Sequence, residues 1–97
     1  MIKHVVCYKL KENSLEKKQE LKNMLLTMKG KLNYFTDITV GMDFLNSERS
    51  YDIVLEMIFN TKEDMENYQK DDYHFNVIKP YMKSVRVSSV SVDYEIE

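Results

Sequence analysis

Hydrophobic residues recur along the chain with two periods, one typical of strands and one typical of a helix. Alternating apolar positions predict strands over residues 2–10, 36–44 and 51–59. Between the first two strands, Ser14 stands where a helix N-cap is expected, and the apolar residues after it recur at steps of three and four. This spacing predicts a helix over residues 15–30. The apolar residues of the stripe are Leu21, Leu25, Met28 and Leu32.

The second half of the chain predicts two further helical segments. Thr61 is a predicted N-cap that acidic residues follow, and its helix is expected to run to about residue 70. Asp72 is expected to cap a short helix that runs through Lys79 and is ended by Pro80.

Residues 85–96 are the last predicted strand. Its alternation changes phase at Ser88-Ser89, which predicts a bulge at that point or a strand that starts later. The order of elements is then βαββαβ. This order is typical of the α+β, ferredoxin-like fold, a four-stranded antiparallel sheet with the helices on one face. We expect residues 1–97 to form a single domain.

Composition narrows the classes of partner. The 97 residues carry a net charge of −2, so a strongly basic nucleic-acid surface is not expected. The sequence has no apolar run as long as the roughly 20 residues of a membrane helix, and no membrane partner is expected. A single cysteine predicts a reduced, cytoplasmic protein. One cysteine and two histidines make a zinc site implausible, and we predict no metal and no cofactor.

The second faces of the predicted strands are partly apolar. Because a small sheet does not leave a broad apolar face in water, we expect two copies of the chain to pack sheet against sheet as a homodimer. The apolar residues on these faces are Val5, Cys7, Val54 and Ile58.

Four short motifs, in the same order along the chain, resemble the Dabb family of stress-responsive dimeric α/β barrel domains. They are His4 with the residues around it, the stretch 47–52 before the third strand, Tyr68 with His74, and the last strand at 89–95. The resemblance spans residues 2–95. One motif departs from the family pattern, because Asp-Asp-Tyr-His stands where the family usually has His-Pro-Ala-His.

The resemblance implies a ferredoxin-like fold that dimerises into a barrel, and it leaves the function open. Some relatives are polyketide cyclases, which close a poly-β-keto chain by aldol condensation. Their chemistry is assigned to a tyrosine and a histidine that match Tyr68 and His74, and a histidine that matches His4 lines the same pocket.

The same residues suit proton transfer beside a carbonyl group. Histidine exchanges protons near neutral pH, and a tyrosine hydroxyl can donate to an enolate oxygen. We predict His74 as the base and Tyr68 as the donor, with His4 orienting the substrate or bonding to His74. A break in the helix near residues 71–72 would bring positions 68 and 74 together.

A pocket between the sheet and the helices is expected to bind a small apolar or aromatic molecule. The residues predicted to line it are Val6, Tyr8, Ile53, Leu55 and Met57. Two alternatives remain open. The chain is either a non-catalytic stress-response dimer with a packed interior, or a cofactor-free monooxygenase-like protein of the same fold, although it lacks the Trp typical of those enzymes.

Overall fold

The computed structural model describes residues 1–96. The chain forms four strands and three α-helices in the predicted order. A tight 3₁₀ turn, Thr27–Gly30, follows the first helix, and a π-helical turn, His74–Ile78, precedes the third. The elements are β1 (Ile2–Leu10), α1 (Leu15–Leu26), β2 (Phe35–Met42), β3 (Ile53–Phe59), α2 (Lys62–Lys70), α3 (Lys79–Val85) and β4 (Arg86–Glu95).

The four strands form one antiparallel sheet in the order β2-β3-β1-β4. The first strand is central and pairs with β3 on one side and with β4 on the other. The ferredoxin-like fold class predicted from the sequence is confirmed. Since β4 lies at an edge, its residues contact only one neighbouring strand, and this leaves room above it.

Two helix starts match their predicted caps. The Ser14 side chain accepts a hydrogen bond from the Lys17 amide at 3.2 Å, and the Thr61 side chain accepts one from the Asp64 amide at 3.0 Å. Each cap satisfies an amide that the first turn of a helix leaves without an intrahelical partner.

The third helical segment differs from its prediction at both ends. Asp71, not Asp72, caps it: the Asp71 backbone is extended, and its side chain accepts a hydrogen bond from the Tyr73 amide at 2.8 Å. Pro80 does not end the helix but lies in the first turn of α3. The backbone is helical on both sides of this point, and the wider π-helical turn just before Pro80 is the local change in hydrogen bonding that accompanies the proline.

The predicted irregularity in the last strand is confirmed, one residue earlier than expected. Lys9 pairs with Ser88, whereas Leu10 pairs with Arg86, so Val87 is an extra residue in β4. This is a β-bulge, and it turns the side chains on either side of it to a new phase.

The core lies between the sheet and the helices. Fully buried residues of α1 and β3 pack there, and Tyr68 of α2 joins them. The predicted strand over 36–44 ends early, at Met42, which makes the last pair of β2 with β3. Phe44 lies past this end and is 94% exposed. None of the helices within residues 1–96 has the length and apolar character needed to cross a membrane.

The opposite face of the sheet is not covered by helices. The register places the predicted apolar residues of this face together, since Cys7 pairs with Val54 and Val5 pairs with Val92. Strand β4 adds exposed apolar side chains to it. The exposed apolar residues that β4 contributes are Val90, Val92 and Tyr94.

Candidate functional site

The site forms above β4, where the helix-facing side of the sheet changes from apolar to polar. In the register of β1 with β4, the residues opposite His4, Val6 and Tyr8 are acidic or hydroxylated. These short polar side chains do not fill the space beneath the helices as leucine or phenylalanine would. The residues of β4 in this row are Ser89, Ser91 and Asp93.

A pocket of about 410 Å³ occupies this space between β4, β1 and the second and third helices. All three residues predicted as catalytic line it, and so do two of the residues predicted as its wall. The predicted residues that line the pocket are His4, Val6, Tyr8, Tyr68 and His74.

The other predicted wall residues lie elsewhere. Ile53, Leu55 and Met57 are 0–2% exposed and belong to the core on the far side of β1. The prediction that they line the pocket is wrong. Their strand faces the helices as expected, but α1 and α2 cover it closely, so that part of the interior is filled with side chains.

His4 is a buried residue of β1 that bonds across to the last strand. Its imidazole is held by Asp93, which lies directly opposite in the sheet, through Nδ1 and Oδ1. Because a carboxylate oxygen accepts the hydrogen bond, Nδ1 carries a proton, and the neutral tautomer of this imidazole has its lone pair on Nε2. The sequence-based suggestion that His4 bonds to His74 is therefore wrong. Its partner is Asp93.

Tyr68 lies between the two histidines and belongs to both the core and the pocket. It is 1% exposed, and its ring centroid is 6.1 Å from that of His4 and 4.4 Å from that of His74. Its hydroxyl makes no hydrogen bond to another group within residues 1–96. Burial raises the pKa of Tyr68 well above its usual range, so the hydroxyl stays protonated and can donate at neutral pH.

His74 is half-buried on the opposite side of Tyr68. Its Nδ1 lies 3.3 Å from the backbone oxygen of Gln69. Because a carbonyl only accepts, Nδ1 donates and Nε2 keeps a lone pair. Burial lowers the pKa of His74 below its ordinary 6.5, and the positive charge of Lys79 lowers it further. The imidazole is therefore neutral at pH 7.

The local chain path explains why residues six positions apart contact each other. Helix α2 ends at Lys70, and the extended backbone of Asp71 separates it from the next helical turn. The Asp71 carbonyl then accepts a hydrogen bond from the Phe75 amide at 2.8 Å, which starts the new turn around His74. The predicted break at residues 71–72 thus brings Tyr68 and His74 together.

Asp93 contacts a candidate site residue, and the sequence did not predict its place there. It lies on the polar face of the last predicted strand and reads as an ordinary solvent-facing acid. The signal that identifies it is the pairing of the first strand with the last, which places it opposite His4. Without that register, no spacing in the sequence links two residues so far apart.

The arrangement supplies proton acceptors and a donor to one pocket. Two imidazoles line the pocket, each with Nδ1 bonded to an acceptor, and one protonated hydroxyl lies between them. A carboxylate behind an imidazole fixes its tautomer and stabilises the cation that forms when the imidazole takes a proton. Within residues 1–96, no group of three or more His, Cys, Asp or Glu side chains is placed to hold a metal ion.

Comparison with solved structures places the fold among known ones. A protein from Arabidopsis thaliana is 21% identical, with a TM-score of 0.84, and the match covers all of this chain and 96% of that one. A protein from Bacteroides fragilis, described as dimeric, of unknown function and ferredoxin-like, is 25% identical, with a TM-score of 0.76 and coverage of 98% and 95%. A hydroxynitrile lyase from Passiflora edulis is 14% identical, with a TM-score of 0.81 and coverage of 99% and 93%.

Family membership rests on the sequence itself. No curated protein matches the chain. The model of the stress responsive A/B barrel domain, Dabb, matches residues 2–96, which is nearly the whole length. The match covers all four strands and every residue of the site described above. The chain therefore belongs to the Dabb family of stress responsive A/B barrel domains.

Proposed function

We propose that this protein binds a small aromatic or apolar carbonyl compound and catalyses proton transfer next to the carbonyl, as in a polyketide-cyclase-like aldol closure. One observation carries the proposal. His4, Tyr68 and His74 meet in one pocket of about 410 Å³, and Asp93 holds the first of them. A packed interior, which the non-catalytic alternative requires, would leave no such space.

The pairing with Asp93 favours His4 as the base. Its Nε2 takes the proton from the carbon beside the carbonyl, and the Asp93 carboxylate stabilises the imidazolium that results. The Tyr68 hydroxyl donates to the oxygen of the enolate. When the enolate carbon attacks a second carbonyl and forms the carbon–carbon bond, the imidazolium returns its proton to the alkoxide, so no proton is gained or lost.

His74 acts beside Tyr68 in this scheme. Its ring packs against that of Tyr68 at a centroid distance of 4.4 Å, which restricts the movement of the tyrosine ring. Its neutral Nε2 is a second acceptor in the pocket. The base predicted from the sequence is His74, whereas the carboxylate behind His4 favours His4 in this role.

The test is deuterium exchange into the acetyl methyl group of acetophenone, followed by proton NMR in D₂O. The wild-type chain is expected to accelerate this exchange above buffer, and His4→Asn is expected to remove the acceleration. Tyr68→Phe is expected to reduce it, since one donor to an oxyanion contributes about 10²–10³-fold in other enzymes. Exchange at the buffer rate with the wild-type chain would contradict the proposal.

The chain offers a matched control for the tyrosine. Tyr73 bonds through its hydroxyl to Thr27 at the surface and does not line the pocket. Tyr73→Phe makes the same chemical change as Tyr68→Phe, and it is expected to leave the exchange rate unchanged. An equal loss in both variants would mean that the hydroxyl of Tyr68 has no special role.

We also propose that the chain is a homodimer in the cytoplasm. Support for dimerisation comes from the exposed apolar face of the sheet, where Val92 is 63% exposed, and from solved proteins of similar fold that are described as dimeric. Light scattering at micromolar concentration is expected to give twice the chain mass, and Val92→Asp is expected to give a monomer. A monomeric wild type would contradict this part of the proposal. The location rests on the single cysteine.

A further inference from the structure

The pocket contains two cations as well as the groups that transfer protons. Arg86, the first residue of β4, and Lys79, the first residue of α3, both line it. Neither side chain forms an ion pair with an acidic residue within residues 1–96. A positive charge in a pocket without an acidic partner is available to a ligand.

The bulge in β4 is what brings Arg86 to this pocket. In a regular strand, residues 86 and 89 would lie on opposite faces of the sheet, because side chains alternate. The extra residue Val87 changes the phase, so that Arg86 pairs with Leu10 and shares the helix-facing side with Ser89. Bulges redirect single side chains in this way next to binding sites.

The surroundings of the two cations are those of a ligand site. Arg86 is half-buried and lies near the hydroxyl of Tyr8. Burial raises the pKa of Tyr8 to about 12, and the positive charge of Arg86 opposes this rise. The Lys79 Nζ lies 5.1 Å from the ring centroid of Phe75, which holds the ammonium at the rim of the pocket. A ligand that enters would therefore meet a positive and aromatic entrance.

Arg86 lies at one end of the pocket and His4 with Asp93 at the other, whereas Lys79 lies near enough to His74 to act on its charge. Asp93 pairs with His4, and Arg86 pairs with Leu10, six positions further along β1. At about 3.3 Å per residue, these strand positions are about 20 Å apart, and the two side chains shorten the gap between them. An elongated molecule fits this division better than a compact one.

We propose that Arg86 binds a carboxylate at one end of an elongated aromatic substrate whose ketone lies near His4 and Tyr68, and that Lys79 adds positive charge to the same pocket. This inference rests on the proposed function and adds the substrate class to it, an aromatic keto acid. Arginine suits a carboxylate because its planar fork can donate two parallel hydrogen bonds to the two oxygens.

The test compares two probes that differ only in charge. 4-Acetylbenzoate and 4-acetylbenzamide carry the same acetyl group and ring, and their affinities can be measured by titration of backbone amide NMR shifts. The wild-type chain is expected to bind the carboxylate at least tenfold more tightly than the amide at low salt. The difference is expected to shrink as salt is added, because the charge interaction is partly exposed.

The two arginines of the sequence give a matched pair of variants. Arg86→Gln is expected to bind 4-acetylbenzoate no better than the amide, whereas Arg49→Gln, which changes an exposed loop residue, is expected to behave as wild type. Arg86→Lys keeps the charge and is expected to keep part of the preference. If Arg86→Gln does not fold, the affinities of the two probes for wild type and for Arg86→Lys still show whether Arg86 binds the carboxylate.

The outcomes separate this inference from the proposed function. Equal affinities for the two probes, with exchange of the acetyl protons in both, would overturn the carboxylate site and leave the proposed function standing. Failure of both probes to bind would overturn both. Tighter binding of inorganic phosphate than of 4-acetylbenzoate would overturn the carboxylate assignment, and an equal loss in Arg49→Gln would overturn the role of Arg86.

Discussion

The two strands that flank β1 show how one side of a sheet can be both a core and a site. Strand β3 contributes an apolar row to the helix-facing side, and its members are at most 2% exposed. Strand β4 contributes a polar row to the same side, and its members are exposed. The row of β3 is Ile53, Leu55, Met57 and Phe59, and the row of β4 is Ser89, Ser91, Asp93 and Glu95.

The difference follows from side-chain size and solvation. Large apolar residues gain free energy when helices close over them, so the β3 side is filled. Short polar residues gain nothing from such closure, because burial would cost them their hydrogen bonds with water. The β4 side therefore stays open, and β1 contributes to both sides. His4 belongs to the open side because its side chain bonds to Asp93 of β4 and lines the pocket there.

The largest effect is expected in the free energy of unfolding. Leu55→Ala should destabilise the chain by about 2–5 kcal/mol, because it leaves a cavity in a filled interior. Ser91→Ala, on the open side, should change the free energy of unfolding by less than about 0.5 kcal/mol. Urea denaturation of both variants measures the contrast. Equal losses would mean that the two sides are packed alike.

The next effect is expected in catalysis rather than in stability. Asp93→Asn should reduce the exchange rate of acetophenone by about 10–100-fold, because an amide can present its N–H to His4 Nδ1 and favour the wrong tautomer. The pH profile of exchange should change in this variant, since the cation that forms on His4 loses its carboxylate. An unchanged rate and profile would mean that Asp93 serves only the sheet.

Filling the open side should weaken binding without loss of the fold. Ser91→Leu gives β4 one side chain of the kind that fills the β3 side. The affinity for acetophenone should fall at least tenfold, while the free energy of unfolding from urea denaturation stays within about 0.5 kcal/mol of wild type. Wild-type affinity in this variant would show that the ligand does not use the space above β4.

The smallest effect is expected in the pH dependence of stability. Burial lowers the pKa of His74 in the folded chain below its ordinary 6.5, so the unfolded chain binds more protons in the interval between the two values. This stability is present above about pH 6.5 and is lost as the pH falls through the folded pKa. His74→Asn should therefore lose less free energy of unfolding between pH 7.5 and 5.5 than wild type. Identical slopes in the two proteins would contradict the shift.

The sequence predicts the fold well because periodicity reports it directly. Alternating apolar residues show which face of β1 and of β3 is buried, and the apolar stripe shows the buried face of α1. The N-caps Ser14 and Thr61 each stand one residue before the observed start of a helix. The end of the third helix was missed at Pro80. Proline stops a helix in general, but here the helix continues through it after a π-helical turn, and no pattern in the sequence marks such a turn.

The site was predicted only in part because it depends on register and coverage. Tyr68, His74 and His4 carry recognisable chemistry, and the family resemblance drew attention to them. Asp93 was missed because only the pairing of β1 with β4 makes it a partner of His4. The wall was misplaced onto β3 because alternation shows which face a strand buries and does not show which part of that face a helix covers.

The most direct test of the account maps where a ligand binds. Acetophenone is titrated into the isotopically labelled chain, and the shifts of the backbone amides are followed. The account predicts changes at Ser89, Ser91 and Gln69, around the pocket, and none at Leu55 or at Val92 on the uncovered face. Shifts centred on the uncovered face, or no shifts at all, would contradict the claim that the polar row of β4 makes a binding site.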